Sequence, residues 1–351
     1  MIKSFPKVLT RYLTEKPLVV VDVGAAGGIQ PLWHGNNLEQ YCRYFGFEPN
    51  QNNFDRLKED NVTKFFRMAL SDKSGTKTFH AFSTVGSFVK RNEREALFSE
   101  VFEPIEVAVE TLERLRVAGT LPRLDVIKTD CERHDYFVIK GAGGLLATEA
   151  LCVTCEFEYY GNEEGSRFRD IDSLLTNSGF LLFGLQSKLG QLGELSGGDL
   201  LYLKDVGHIL SSDLSGEERK EQLLKLFMIC LILGQHVYAF VVASAMADHG
   251  VITTDETQEL KTAVKGTVFL PMGSPLIRSG LWLANALSYV GQILSGQKWA
   301  SKAAPRTQGL HPYAQLSVKS SLIPSSWRAR YVNRLEIAYE RYKKLRGIVY
   351  N

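Results

Sequence analysis

The sequence predicts an α/β fold: a doubly wound, mostly parallel, Rossmann-like sheet with a helical C-terminal extension. Strand-like apolar runs alternate with helical patterns over the first 205 residues, and this order produces a parallel sheet covered on both faces. The run at 18–23 has no polar residue before Asp22, as expected of a strand buried on both faces. After residue 206 no alternating pattern returns. In a chain of 351 residues we therefore expect two domains, 1–205 and 206–351.

The predicted strands are short runs rich in apolar and β-branched residues, and the predicted helices lie between them. Strands are expected near 18–23, 43–48, 63–69, 124–129, 151–157, 180–186 and 200–204. Helices are expected at 38–41, 51–59, 135–146 and 168–177. Ligands of open α/β sheets bind at the carboxyl ends of the strands, so Asp22, Glu48, Ala69 and Asp130 should converge there. Residues 82–88 are expected to form a loop, either over the ligand or on the plain surface.

A glycine-rich turn at 24–28 follows the first strand and lets a ligand approach the backbone where the next helix begins. Glu48 lies about 20 residues further on, the spacing at which a carboxylate accepts hydrogen bonds from ribose hydroxyls. Asp22 would repel a phosphate, and Ile29-Gln30 stands where a dinucleotide fold usually keeps its third glycine. These residues favour a cationic cofactor with an amino-acid tail, S-adenosylmethionine. The alternative is a glycine turn that only packs a helix on a strand.

Five ordered segments of the chain resemble the FkbM-type family of S-adenosylmethionine-dependent methyltransferases. The segments are 21–25, 47–50, 69–72 with Gly75, 124–132 and 140–142. The resemblance covers about residues 18–160, with 200–204 as an extension, and it implies a class I methyltransferase fold with S-adenosyl-L-methionine as cofactor. The residues expected to bind the cofactor are Asp22, Gly24, Ala25, Gly28, Glu48, Pro49, Asn50, Ala69, Leu70 and Asp130.

The chain departs from this family's pattern in two places. The family usually has Glu-Gly-x-Glu after the central aspartate, whereas this chain has Glu132-Arg133-His134-Asp135. Its usual Thr-Leu-Asp is Thr-Leu-Glu here, at 111–113. The first departure falls beside the expected reaction centre, so the sequence leaves the acceptor and the acid/base assignment open.

Asp130, Glu132 and His134 are the candidate catalytic residues, at the end of the fourth strand that the family resemblance matches and in the turn after it. A methyl donor is already activated, so orientation of the acceptor supplies roughly 7–11 kcal/mol. A base that removes the hydroxyl proton adds about 10²–10⁴ in rate. With an ordinary pKa of about 6.5, His134 is expected to be the better base, oriented by Glu132. In the alternative interpretation, Asp130 caps the next helix and the other two residues are solvated.

The resemblance implies an O-methyltransferase acting on a hydroxyl of a carbohydrate, glycolipid or glycosylated product. Two other functions remain open. Tyr136 and Lys140 have the Tyr-x-x-x-Lys spacing of short-chain NAD(P)-dependent oxidoreductases, although no serine lies between Ser99 and Tyr136. A nucleotide-binding or assembly protein without catalysis could also use this fold.

Net charge, the cysteines and the first residues limit the classes of binding partner and the cellular location that we expect. A net charge of +2 predicts no nucleic-acid partner. The five scattered cysteines favour a reducing compartment. Cys152 and Cys155 lie on one predicted strand, three residues apart, so they face opposite sides and predict buried thiols rather than a metal site. The first residues lack the apolar core of a signal peptide, which favours a cytoplasmic location.

The C-terminal region is expected to shape the acceptor site or a homodimer interface. Residues 223–246 are apolar but interrupted by polar residues, which favours a buried helix or helix pair over a membrane span. Another apolar helix is expected at 281–294. The basic, aromatic stretch at 327–350 is expected either to pack as a terminal helix or to lie peripherally on an anionic membrane surface.

Overall fold

The computed structural model describes residues 5–34, 38–82, 85–88, 103–159, 167–189, 195–265, 267–270, 316–319 and 325–345. It divides into two units. The first lies within Leu9–Leu226, and the second contains the described residues of Met1–Val8 and Phe227–Asn351. The first helices of the C-terminal region therefore begin within the same unit as the sheet.

The described strands and helices are numbered in chain order. The strands are β1 (Leu18–Val23), β2 (Cys42–Phe47), β3 (Thr63–Phe66), β4 (Ala69–Leu70), β5 (Gly75–Phe82), β6 (Val85–Ser87), β7 (Glu103–Glu110), β8 (Val126–Thr129), β9 (Cys152–Glu158), β10 (Phe180–Leu189), β11 (Leu195–Lys204), β12 (Thr267–Leu270) and β13 (Leu316–Lys319). The helices are α1 (Lys7–Glu15), α2 (Gln51–Phe54), α3 (Leu112–Val117), α4 (Asp135–Lys140), α5 (Leu145–Thr148), α6 (Phe168–Asn177), α7 (Val206–Ser211), α8 (Gly216–Ile232), α9 (His236–Asp248), α10 (Thr254–Lys265) and α11 (Ser325–Leu345).

A seven-stranded sheet forms the centre of the first unit, in the order β10-β11-β9-β8-β1-β2-β3. The pairs from β9 to β3 are parallel, and β11 pairs antiparallel with both β9 and β10. Every residue of β1 is buried, because strands flank it on both sides and helices cover such sheets. The predicted α/β class, a mostly parallel Rossmann-like sheet, is confirmed.

The carboxyl ends of the central strands lie side by side, as predicted. The backbone N–H of Gly24 donates to the carbonyl of Phe47 at 3.0 Å, which ties the end of β1 to the end of β2. The N–H of Asp130 donates to the carbonyl of Val23 at 3.0 Å, which ties β8 to β1. Residues that follow these three strands are therefore neighbours, although they are far apart in sequence.

A second sheet, in the order β4-β7-β5-β6, was not expected from the sequence. Its small core contains Phe79, Val107 and Val109. The predicted strand at 63–69 ends at Phe66, and Ala69–Leu70 pairs in this second sheet instead. Part of the predicted 82–88 loop is also a strand, because Val85–Ser87 pairs antiparallel with β5.

Three of the four predicted helices differ from the structure. Residues 38–41 form a turn closed by a hydrogen bond from the N–H of Tyr41 to the carbonyl of Leu38 at 2.8 Å. The helix expected at 51–59 ends at Phe54. The helix expected at 135–146 divides into α4 and α5, because the glycine-rich segment between them includes Gly143 at φ +53°. The helix at 168–177 is found as predicted.

A buried ion pair attaches α8 to the sheet within the first unit. The Nζ atom of Lys225 lies 2.8 Å from Oδ2 of Asp125, and both side chains are enclosed. The same Oδ2 accepts the backbone N–H of Val19 at 2.9 Å. Glu221, one turn earlier on α8, also contacts Lys225 at 3.0 Å. Loss of either side chain would leave the charge of the other buried without a partner, which is strongly destabilising. The ion pair therefore keeps α8 packed against the start of β1.

The second unit is mainly helical, with one antiparallel pair, β12–β13, that the sequence did not predict. The expected helix pair in 223–246 is found as α8 and α9, and the residues of α9 are almost all buried. Leu335 and Tyr339 of α11 are also buried, and the Tyr339 hydroxyl donates to Asp248 at 2.6 Å. The helix predicted at 281–294 lies outside the described residues. No helix in the described part of the chain is long and apolar enough to cross a membrane.

Candidate active site

A cavity of about 480 Å³ lies at the carboxyl ends of β1, β2, β4 and β8. Nine of the residues predicted from the sequence line it: Gly24, Glu48, Pro49, Asn50, Ala69, Leu70, Asp130, Glu132 and His134. Three predicted residues, Asp22, Ala25 and Gly28, are not in its wall. The lining residues that the sequence did not single out are Val23, Ala26, Gly27, Phe47, Asn53, Met68, Phe79, Phe88 and Cys131.

The glycine turn brings the backbone to the edge of this cavity. Gly24 has φ +85°, and a Cβ atom there would lie 2.1 Å from the carbonyl oxygen of Asp130. Only glycine satisfies both requirements. A Cβ atom on Gly27, which lines the cavity, would meet nothing within 4 Å. The turn therefore leaves open space next to the backbone, as a closely bound ligand requires.

Asp22 lies beneath the turn rather than in the cavity wall. It is fully buried, and its Oδ2 accepts the backbone N–H of Gln30 at 2.9 Å. Its Oδ1 lies 2.9 Å from the Nζ atom of Lys128 on β8. Burial opposes the charge on Lys128, but Asp22 and Asp130 outweigh it and raise the pKa of this lysine. Asp22 was expected to face the cofactor, but it does not line the cavity. Instead, Asp22 and Lys128 stabilise the glycine turn from below.

Glu48 follows β2 and is held in the cavity wall by its own loop. Only 4% of the residue is exposed. Its Oε1 accepts the backbone N–H of Asn50 at 2.8 Å, and the Asn50 side chain in turn caps α2 by accepting from the N–H of Asn52. Burial raises the pKa of Glu48, while Asn50 and Asn53 oppose the shift through hydrogen bonds. A carboxylate fixed in this way is suited to accept hydrogen bonds from a diol.

Asp130 and Glu132 follow β8 and also line the cavity. The Asp130 side chain is 51% exposed, and its Oδ2 lies 3.8 Å from the Nζ atom of Lys128. The next residues form a strained turn, with φ +49° at Glu132 and φ +81° at Arg133. Two consecutive residues other than glycine in this region cost about 1–3 kcal/mol each, and such strain clusters at functional sites.

Arg133 occupies the position at which the family pattern has glycine, and it keeps the backbone conformation that glycine favours. Its Nε donates to Oε1 of Glu158 on β9 at 2.6 Å. This ion pair compensates part of the strain and attaches the turn to the neighbouring strand. Arg133 therefore has a positive φ, a backbone conformation that glycine adopts at no steric cost.

His134 is enclosed by aromatic rings. Its ring centroid lies 4.5 Å from that of Phe88 and 4.9 Å from that of Phe137, and its Nε2 is 3.0 Å from Oγ of Ser71. Burial lowers the pKa of His134 to about 3; Lys77 contributes to this shift and Asp72 opposes it. The imidazole is therefore neutral and weakly basic near pH 7, contrary to the expectation of a base with a pKa near its ordinary value. It is also not solvated, as the alternative interpretation had it.

The Tyr136–Lys140 pair lies away from this cavity. Tyr136 packs against the hydrophobic core. Lys140 lies 3.3 Å from Oδ2 of Asp72, and its Nζ is 5.9 Å from the centre of the Tyr136 ring. Neither residue lines the cavity. The arrangement gives no support to a dehydrogenase proton relay.

The residues in the wall fit S-adenosylmethionine. Glu48 would accept from the ribose hydroxyls, and the open backbone at Gly27 together with Asp130 would hold the amino-acid end. Phe47, Met68 and Leu70 supply an apolar surface for the adenine ring.

Cys152 and Cys155 are buried, and burial raises the pKa of both thiols. Among the described residues, no group of three His, Cys, Asp or Glu side chains is arranged to hold a metal ion.

Comparisons with solved structures return methyltransferases at low similarity. Magnesium protoporphyrin IX methyltransferase (ChlM) from Synechocystis PCC 6803, with bound SAM, is 12% identical; the match covers 57% of this chain and 77% of that chain, with a TM-score of 0.28. Sp1610 of Streptococcus pneumoniae, named as a tRNA (m1A22) methyltransferase, is 12% identical, with coverage of 74% and 100% and a TM-score of 0.26. Neither similarity assigns a substrate to this chain. No curated protein matches it.

A family model, the methyltransferase FkbM domain, matches residues 22–182. The matched range begins at Asp22 and contains all the predicted site residues. It also includes the five segments that carry the sequence resemblance, apart from the first residue of the first segment. Residues 22–182 thus match the model of the FkbM methyltransferase domain, the family that the sequence resembles.

Proposed function

We propose that this chain transfers a methyl group from S-adenosylmethionine to a hydroxyl of a carbohydrate, glycolipid or glycosylated product. The observation that carries the cofactor part is the convergence of the glycine turn, Glu48 and Asp130 on one cavity. The hydroxyl acceptor is supported by the family resemblance.

The cofactor, when bound, supplies an activated methyl group, which forms a bond to the acceptor oxygen as its bond to sulfur breaks and sulfur keeps the electron pair. This chain's residues must orient the acceptor and receive the hydroxyl proton. His134 is poorly suited to receive it, because its pKa is lowered to about 3 by burial. Glu132 is better placed to receive the proton, because it lines the cofactor cavity and also a second, adjoining cavity. We assign proton acceptance to Glu132.

The test is methyl transfer from radiolabelled S-adenosylmethionine to a panel of di- and oligosaccharides, with the full chain. Glu132→Gln should lower turnover about 10²–10⁴-fold on an acceptor that the wild type methylates, while cofactor affinity stays unchanged. Asp213→Asn, at an exposed carboxylate between α7 and α8, is the control and should leave both unchanged. Full turnover by Glu132→Gln would contradict the assigned role. Hydride transfer with a nicotinamide cofactor and no methylation would overturn the proposed function itself.

A further inference from the structure

Three aromatic side chains in the candidate active site take no part in the proposed binding of the cofactor. They are Phe79, Phe88 and His134, and all three line the cavity. Phe79 lies on β5 and Phe88 directly follows β6, so the second sheet brings both phenylalanines to the cavity. The ribose, the adenine ring and the amino-acid end of the cofactor were assigned to other residues. We call these three rings the aromatic wall.

The aromatic wall is a continuous surface. The centroids of Phe79 and Phe88 lie 5.4 Å apart in an edge-to-face arrangement, and the centroid of His134 lies 4.5 Å from that of Phe88. Phe79 is 7% exposed and His134 is 5% exposed, whereas Phe88 is half-buried. Of the three rings, Phe88 therefore has the most surface left for contact with a ligand.

Polar contacts from outside the cavity fix the orientation of the wall. The Nε2 atom of His134 is 3.0 Å from Oγ of Ser71, and this oxygen accepts from Nζ of Lys77 at 2.8 Å. The same Nζ lies 5.6 Å from the centre of the Phe88 ring, a cation–π contact. Neither Ser71 nor Lys77 lines the cavity. The rings are thus ordered before a ligand binds, which lowers the entropic cost of binding.

The wall lies at the end of the cavity where the strained turn is found. His134 comes two residues after Glu132, to which we assign proton acceptance, and both residues line the cavity. Phe88 contacts His134 and therefore lies at this end as well. A pyranose ring has a face of C–H groups, which carry partial positive charge and pack favourably on the negative face of an aromatic ring. Its hydroxyls point outward from the ring and remain available to Glu132.

We propose that Phe88 binds the apolar face of the acceptor's sugar ring, so that the acceptor is a pyranose rather than an open-chain polyol. The inference rests on the proposed function, since it assigns a residue to the methyl acceptor of that reaction. Contact with one face of the ring orients the acceptor, which is the main task of the protein in a methyl transfer. Phe88 takes no part in the proton transfer itself.

The experiment measures methyl transfer from radiolabelled S-adenosylmethionine by the full chain. The probes are the methyl pyranosides of glucose, galactose and mannose, each compared with its open-chain alditol. A methylated pyranoside should have a KM about tenfold or more below that of its alditol, because only the ring offers an apolar face. Equal KM values, or methyl transfer to the alditols alone, would overturn the inference. No methyl transfer to these probes or to the di- and oligosaccharide panel would count against the proposed function itself.

Two variants of Phe88 separate the ring from its apolar bulk. Phe88→Leu keeps an apolar side chain without the ring, and it should raise the KM for the best saccharide acceptor of the wild type about 2- to 10-fold. Its kcat and its affinity for S-adenosylhomocysteine should stay within about twofold of wild type. Phe88→Tyr retains the ring and should have the wild-type KM. An unchanged KM in Phe88→Leu would contradict the contact with the acceptor.

Phe137→Leu is the matched control. Phe137 packs on His134 with 4.9 Å between the ring centroids, as Phe88 does, but it does not line the cavity. This variant should leave the KM for the acceptor within about twofold of wild type. An equal rise in KM for both leucine variants would show that Phe88 acts only through the packing of His134. Weaker binding of S-adenosylhomocysteine to Phe88→Leu would show that Phe88 contacts the cofactor instead, and either result would overturn the inference.

Discussion

Replacement of Lys128 by methionine tests how the glycine turn is held. The lysine Nζ lies 2.9 Å from Oδ1 of Asp22, with 10% and 1% of the two side chains exposed. At an effective dielectric constant of about 20, this separation corresponds to about 6 kcal/mol of attraction, offset by the cost of burying both charges. Removal of one partner leaves the Asp22 carboxylate buried and uncompensated. We therefore expect Lys128→Met to lower the free energy of unfolding by about 3–5 kcal/mol.

The assay is urea denaturation of the full chain followed by circular dichroism, with the pair Asp22→Asn/Lys128→Met as the matched control. The double variant should recover most of the loss, because neither charge remains buried. The pKa of Lys128 is raised, so its stabilising charge is fully present below about pH 10.4 and is lost only as pH rises through the folded-state value. The experiment is therefore done near neutral pH. A loss below about 1 kcal/mol for the single variant would refute the buried pair.

Three further predictions concern the turn and its surroundings. Arg133→Gly should be more stable than Arg133→Ala by about 1–2 kcal/mol in urea denaturation, because both lose the ion pair with Glu158 but only glycine relieves the left-handed backbone; equal stabilities would show that the backbone is not left-handed there. The folded-state pKa of His134 is lowered to about 3, so its contribution to stability is present above its unfolded pKa of about 6.5 and is lost as pH falls toward 3. His134→Phe should therefore reduce the decrease in unfolding free energy between about pH 6.5 and about pH 3. An unchanged pH dependence would contradict a buried neutral imidazole. Tyr136→Phe should leave cofactor affinity and methyl transfer within about twofold of wild type, since the residue lies outside the cavity; a loss of turnover with cofactor affinity intact would revive the tyrosine–lysine chemistry.

The parallel sheet could be predicted because a strand buried on both faces needs apolar side chains at nearly every position. Residues 18–23 are apolar except for Asp22, and the strand is entirely buried. The second sheet was missed although β7 alternates Ile105, Val107 and Val109 with the exposed residues Glu106 and Ala108, the pattern of a strand with one buried face. The predicted helices at 51–59 and 135–146 were too long: the first ends at Phe54, and a glycine-rich segment divides the second into α4 and α5.

The candidate site was predictable as a set of positions but not as a set of interactions. Glu48 and Asp130 follow strands, and parallel topology alone brings them together. The partner of Asp22 was not predictable, because Lys128 meets it only when β1 and β8 pair in register. A lysine inside a predicted buried strand was nevertheless a signal, since such residues are rarely buried without a partner. The environment of His134 depends on Phe88 and Ser71, which are far from it in sequence. The residues next to the histidine in sequence therefore could not predict these contacts.

The role of the second unit stays a prediction. A contribution of its helices to the acceptor site, a homodimer interface or a membrane surface is an expectation from the sequence. Burial of Leu335 and Tyr339 indicates that α11 uses part of its apolar face for packing within this unit. Flotation with anionic liposomes, at low and high salt, would test the membrane expectation.

Calorimetric titration of wild type and Glu48→Ala with S-adenosylmethionine tests whether this cavity is the cofactor site. Wild type should bind S-adenosylmethionine and S-adenosylhomocysteine, and should not bind NAD. Glu48→Ala should weaken binding by about 1.5–3 kcal/mol, or about 10- to 150-fold, through the loss of hydrogen bonds to the ribose. Asp213→Asn should bind like wild type. Binding of NAD with no binding of S-adenosylmethionine, or equal affinity in wild type and Glu48→Ala, would contradict the site described here.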